Sequence, residues 1–134
     1  MDHFLNCNNV VTRLVEEWGQ YGKLIIAYDF DNTVYDYHNK GYSFDHVIQL
    51  LRDCKEMGMH LIVYTACEES KFDFIRDHLN NNNIPFDSIN QHASFVPFQS
   101  GKIYYNHFLD DRAGLRSAYE DLRSAIRVIK QYDK

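Results

Sequence analysis

With 134 residues, 45% of them apolar and 15% aromatic, the chain can build one self-sufficient core, burying roughly 68% of its extended surface, which excludes a disordered chain. A formal net charge of −5 leaves no global cationic field for nucleic acid, and no apolar run reaches the roughly 18 residues that cross a bilayer. Met1 to Asn9 lacks the basic and apolar regions of a secretory leader, and Cys7, Cys54 and Cys67 are odd in number and widely spaced, so the expectation is a cytoplasmic protein with reduced thiols.

The apolar periodicity predicts a helix over Val10 to Trp18, broken by Gly19 and Gly22, so that residues 1–22 form an N-terminal helical extension of a single domain. A strand follows over Leu24 to Phe30. The aromatic alternation of Tyr35, Tyr37 and Tyr42 predicts a hairpin or flap over 34–42. Ser43 is placed as the N-cap of a helix whose stripe is Val47, Leu51, Cys54 and Met57, with Gly58 as its stop. A second strand runs from His60 to Thr65. Glu68 and Glu69 open a helix with Phe72, Ile75 and Leu79 on its core face, since negative charge suits a helix N-terminus.

A brief strand is expected within Pro85 to Ile89, a loop from Gln91 to Gly101, and a strand from Tyr104 to Leu109. Leu115, Ala118, Leu122, Ala125, Ile126 and Ile129 mark a final amphipathic helix. Strands alternating with helices argue for a parallel, doubly wound α/β sheet.

The chemistry concentrates where these strands end. Asp29 and Asp31 follow the first apolar run, at the carboxyl edge where open α/β sheets bind ligands. Two carboxylates so close repel each other, and need a cation, a shared proton or a phosphate-binding partner. A turn built from Asp and Asn is the alternative. Thr65 closes the second strand, Lys102 precedes the last one, and Asp110-Asp111-Arg112 closes it. Acid pair, hydroxyl, lysine and acid pair thus occur in that order.

This ordered set resembles the haloacid dehalogenase-like phosphatase superfamily. Asp29, Asp31 and Thr33 match its Asp-x-Asp-x-Thr motif, Thr65 its strand-closing hydroxyl, Lys102 its lysine, and Asp110 and Asp111 its late acidic pair. The resemblance covers about residues 23–116. Asn32 stands where the family usually has Gly, and Asn tolerates positive φ.

The resemblance implies a three-layer, Rossmann-like α/β/α fold with a mainly parallel sheet. It also implies a Mg²⁺-dependent phosphomonoester hydrolase. Asp29 is then the nucleophile that forms an aspartyl phosphate, and Asp31 the general acid and base. Mg²⁺ falls to the Asp29 side chain, the Asp31 main-chain carbonyl and Asp111, while Asp110 steadies Lys102 from behind. Thr65 and Lys102 bind the phosphate, and Thr33 orients the loop. Arg112 is expected to pair with the late acids, and Cys67 to be a small filler beside the site. The seven histidines show no ligand spacing near the acids and are read as structural or exposed.

Neither 34–64 nor 66–101 has room for an inserted cap domain. A capless member resembles those that act on macromolecular substrates, or that close the site by homo-oligomerising. The substrate is therefore expected to be a phosphorylated small molecule or macromolecule end, with no membrane partner. A nucleotide or polynucleotide-end phosphatase is the alternative enzyme. A non-hydrolytic phosphate-binding module is the alternative outside enzymes. Tyr35, Tyr37, Tyr42, Phe95 and Phe98 are read first as packing, and second as surfaces on which a base or aromatic substrate stacks.

Overall fold

The structure is a computed structural model that describes residues 1–132. In chain order its elements are α1 (Cys7–Tyr21), β1 (Ile25–Tyr28), α2 (Asp45–Glu56), β2 (His60–Val63), α3 (Phe72–Asn81), β3 (Ser88–Ile89), β4 (His107–Leu109) and α4 (Leu115–Tyr132). The four strands form one sheet in the order β3-β2-β1-β4, and every pairing is parallel. This is a Rossmann-like α/β fold.

All four residues of β1 are buried, as a central parallel strand covered on both faces requires. Period-two alternation divides the sheet's side chains between two cores. Leu24, Ile26, Tyr28, Leu61, Val63 and Leu109 join Leu14 of α1, Leu51 of α2, Ile75 of α3 and Ile126 of α4. Ile25, Ala27 and Ile62 join Ala93 and Ile103 instead. Those two belong to the connection from β3 to β4, which carries no helix. The layer on that face is therefore an ordered loop packed against the sheet.

The strand order reverses between β1 and β4. The chain runs outward through β2 and β3, then returns to the other side of β1. Such a switch point leaves a crevice at the carboxyl ends of the two strands. Asp29 lies just past β1 and Asp110 just past β4, so both border that crevice.

Several expectations need correction. The first helix runs through Gly19 and stops only at Gly22, whose φ of +66° suits the left-handed end and whose amide bonds the Trp18 carbonyl at 2.7 Å. Within residues 1–22 the helix joins the main core, where Leu14 is fully buried, and α1 packs along α4. Residues 34–42 are a succession of turns, with one bridge pairing of Asp31 and Tyr35 in place of a hairpin. Phe44 holds the N-cap position of α2, and Ser43 accepts the Asp45 amide at 3.3 Å from just outside it. Gly58, at φ +86°, follows the end of α2 as expected. The gaps expected to lack a cap hold α2 and β2, then a 3-10 turn at Glu69–Lys71, α3, β3 and the loop. Among the described residues no helix is long and apolar enough to cross a membrane.

Candidate active site

The turn after β1 is wound around one carbonyl. The amides of Thr33, Val34 and Tyr35 all point to the Phe30 oxygen, at 3.4, 3.1 and 3.1 Å. Asn32 takes a φ of +59°, the left-handed conformation that Asn accepts more readily than most residues. Phe30 is buried beneath this turn and anchors it. Asp29 is held from the other side, where its amide donates to the Leu109 carbonyl at 2.9 Å.

Thr33 ties this turn to the one after β4. Its hydroxyl, fully buried, accepts the Asp111 amide at 3.2 Å. The second turn has its own lock, since the Arg112 amide donates to the Asp110 carboxylate at 2.8 Å. The Arg112 side chain makes no ion pair with the acids among the described residues. That expectation is corrected: the backbone of Arg112, and not its guanidinium, serves the acidic pair.

Asp29, Asp110 and Asp111 each offer one carboxylate oxygen, and the three atoms lie within 4.8 Å of one another. The energetic cost shows in Asp29. Burial and then the negative charge of Asp110 raise its carboxyl to about 7, with Asp111 adding to the rise and the Phe30 amide opposing it. Such a site favours either a proton on Asp29 or a cation among the three. The donors are all hard oxygens, the set that suits Mg²⁺. Asp110 therefore stands among the candidate ligands beside Asp111, rather than behind it steadying Lys102.

The Asp31 side chain lies outside this trio. Its carboxyl is raised by burial and by the charge of Asp111, while the Cys67 thiol and His38 pull it back. The Cys67 thiol donates to the Asp31 carboxylate at 3.9 Å, so it is a hydrogen-bond partner and more than a filler.

Thr65 arrives at the end of β2 with 7% exposure, its hydroxyl accepting the Cys67 amide at 3.2 Å. Among the described residues the hydroxyl is given no acceptor of its own. Asn90 braces this exit with two side-chain bonds, accepting the Thr65 amide at 2.8 Å and donating to the Thr65 carbonyl at 2.7 Å. The sequence reading missed Asn90. The only signal was an Asn directly after Ser88 and Ile89 at a strand end, a place where turn residues are common.

Lys102 does not join the others. It is exposed, lines a separate surface depression with Phe98, Ser100 and Tyr104, and makes no ion pair among the described residues. The groups that act on the Asp29 carboxyl include no lysine. The physical reason is the β3–β4 loop, whose Ile103 is drawn under the sheet core and whose Tyr104 packs edge-on against Phe98. Their packing directs the preceding lysine toward solvent.

Among solved structures, the chain is similar to a conserved protein from Bacteroides thetaiotaomicron, with a TM-score of 0.60 and 22% identity over 84% of this chain and 93% of that one. A likeness at that identity speaks for the fold alone. No family model and no curated protein matches the sequence.

Proposed function

We propose that the chain is a Mg²⁺-dependent phosphomonoester hydrolase of the haloacid dehalogenase-like kind. The observation that carries this reading is the trio of carboxylates at the switch point, with Asp29 raised to about 7 by burial and by the charges of its neighbours. An acidic cluster alone is common on protein surfaces. One with Asp29 and Asp110 partly buried, at the ligand-binding edge of a parallel sheet and within the motif order of a phosphatase superfamily, is much less so.

Asp29, Asp110 and Asp111 would hold the cation, with the Asp31 main-chain carbonyl as the ligand that the resemblance adds. When bound, Mg²⁺ supplies the positive charge that offsets repulsion between carboxylates and phosphoryl oxygens. Asp29 attacks phosphorus through a carboxylate oxygen, and the bond to the leaving oxygen breaks. Asp31 gives that oxygen its proton, a role its raised carboxyl pKa suits, while the hydrogen bond from Cys67 favours the ionised form needed for the base role that follows. Asp31 then takes a proton from the water that cleaves the aspartyl phosphate, which releases phosphate and restores Asp29. Thr65 donates its hydroxyl proton to a phosphoryl oxygen. Lys102 has no part in this scheme.

The absence of Lys102 from the site favours a second reading. A module that holds a cation and a phosphate without turning it over needs no lysine to neutralise the transition state. Turnover of p-nitrophenyl phosphate with Mg²⁺ separates the two. The hydrolase reading expects turnover by the native chain and none by Asp29→Asn. A native chain that binds Mg²⁺ but releases no p-nitrophenol supports the binding module.

A further inference from the structure

Asp31 stands between two regions. On one side, two residues back in the same turn, is Asp29 of the carboxylate trio. On the other it forms part of the wall of a cavity of about 430 Å³ with Tyr35, Tyr37, Cys67, Lys71 and Phe74. A phosphoryl group held at the carboxylate trio would thus have its leaving group directed past Asp31 and into this cavity.

The wall has an unusual make-up. Tyr35 is fixed by stacking on buried Phe30 at 4.9 Å between ring centroids and 14° between planes. Phe74 meets Tyr35 edge-on at 5.5 Å. Yet Phe74 remains 51% exposed and Tyr37 58% exposed. Large rings left open to water around a rigid aromatic base lose favourable burial that a flat ligand would restore. Lys71 adds one cation to the wall, which suits an acceptor atom on the entering group.

Resting on the phosphatase reading, we infer that the substrate is a phosphomonoester whose alcohol carries a flat heteroaromatic ring, with that ring seated between Tyr37 and Phe74. A nucleoside monophosphate has this chemistry. The covalent step is the one given above: the phosphorus–oxygen bond to the ring-bearing alcohol breaks, a bond to the Asp29 oxygen forms, and the Asp31 proton goes to the alcohol.

The test compares adenosine 5′-monophosphate with ribose 5-phosphate, which share the leaving oxygen and the pentose carbon skeleton and differ in the base. With Mg²⁺ and the full chain, kcat/KM for the nucleotide exceeds that for the sugar phosphate by about tenfold or more, the scale of one base–aromatic stack. In Phe74→Ala and in Tyr37→Ala, both at exposed positions where folding is not at stake, the ratio falls to within about twofold of unity. Equal kcat/KM for the two substrates in the native chain overturns this inference and leaves the phosphatase reading standing. A preference for the nucleotide that neither substitution diminishes overturns it as well, because the ring is then read elsewhere. If neither compound nor p-nitrophenyl phosphate is turned over, the phosphatase reading fails and this inference fails with it.

Discussion

The hydroxyl of Thr33 accepts the backbone amide of Asp111 across 78 positions of sequence, at 3.2 Å and out of reach of water. That bond joins the turn carrying Asp29 and Asp31 to the turn carrying Asp110 and Asp111. Their relative position is what brings three carboxylates within reach of one ion. Thr33→Val keeps the shape and removes the acceptor, leaving the Asp111 amide unsatisfied. The expected cost is about 1–2 kcal/mol in urea unfolding, with Mg²⁺ affinity by calorimetry weakened about tenfold. Thr33→Ser retains most of both. Unchanged Mg²⁺ affinity in Thr33→Val would show that the two turns hold their places without it.

The raised Asp29 carboxyl makes the metal-free protein sensitive to pH. In the unfolded chain this group titrates near its ordinary value, and in the folded chain near about 7. Between those values the folded state holds the extra proton, so its stability falls as pH rises from about 4 through 7. Asp29→Asn removes this group's share of the dependence. Allowing for solvent screening of a half-exposed group, the variant is more stable than the native chain by about 1–2 kcal/mol at pH 8 without Mg²⁺, and the two converge below pH 4. Thermal unfolding across that range reads the difference. A native-to-variant difference that stays constant from pH 4 to 8 contradicts the burial and repulsion seen at Asp29.

Cation binding carries the same linkage with the opposite sign. Mg²⁺ needs Asp29 ionised, so binding below pH 7 releases a proton. Apparent affinity therefore rises up to about tenfold per pH unit between pH 5 and 7, then levels off. Calorimetry in two buffers of different ionisation enthalpy measures the proton count directly. A count of zero at pH 6 would mean that the ion does not use Asp29.

Asp31 should matter most where the leaving group is poor. Asp31→Asn lowers kcat/KM for an alkyl phosphate by about 10²–10⁴, the usual contribution of a general acid. For p-nitrophenyl phosphate, whose leaving oxygen needs little protonation, the fall is much smaller. Equal losses on both substrates place Asp31 outside proton donation.

Asn90 is held at φ +54° while its side chain brackets the Thr65 peptide with two hydrogen bonds. Asn90→Ala loses both bonds and strains the backbone, at a cost of about 2–3 kcal/mol. Asn90→Gly relieves the backbone while losing the bonds, and falls between Ala and the native residue. If Gly is as damaging as Ala, the φ angle contributes nothing. Chemical denaturation ranks the three.

What the sequence by itself determined was local. Apolar runs such as Ile25 to Tyr28 and Leu61 to Val63 name their own strands, because burial on both faces demands continuous apolar residues. Acid pairs placed where such runs stop are bound to emerge at a sheet edge, and Asn32 announces the tight turn between Asp29 and Thr33 through its own backbone tolerance. Tertiary structure alone decided the rest. Whether Asp110 or Asp111 approaches Asp29 depends on how two distant turns dock, and both do. Whether Lys102 reaches them depends on how a loop without regular structure packs on the sheet, and Ile103 and Tyr104 turn it away. The cavity beside Asp31 joins Tyr35 and Tyr37 of the β1 turns to Lys71 and Phe74 around the start of α3. No spacing along the chain encodes that meeting, because it arises from β1 and β2 being neighbours in the sheet and from the helix that follows β2 folding back over them.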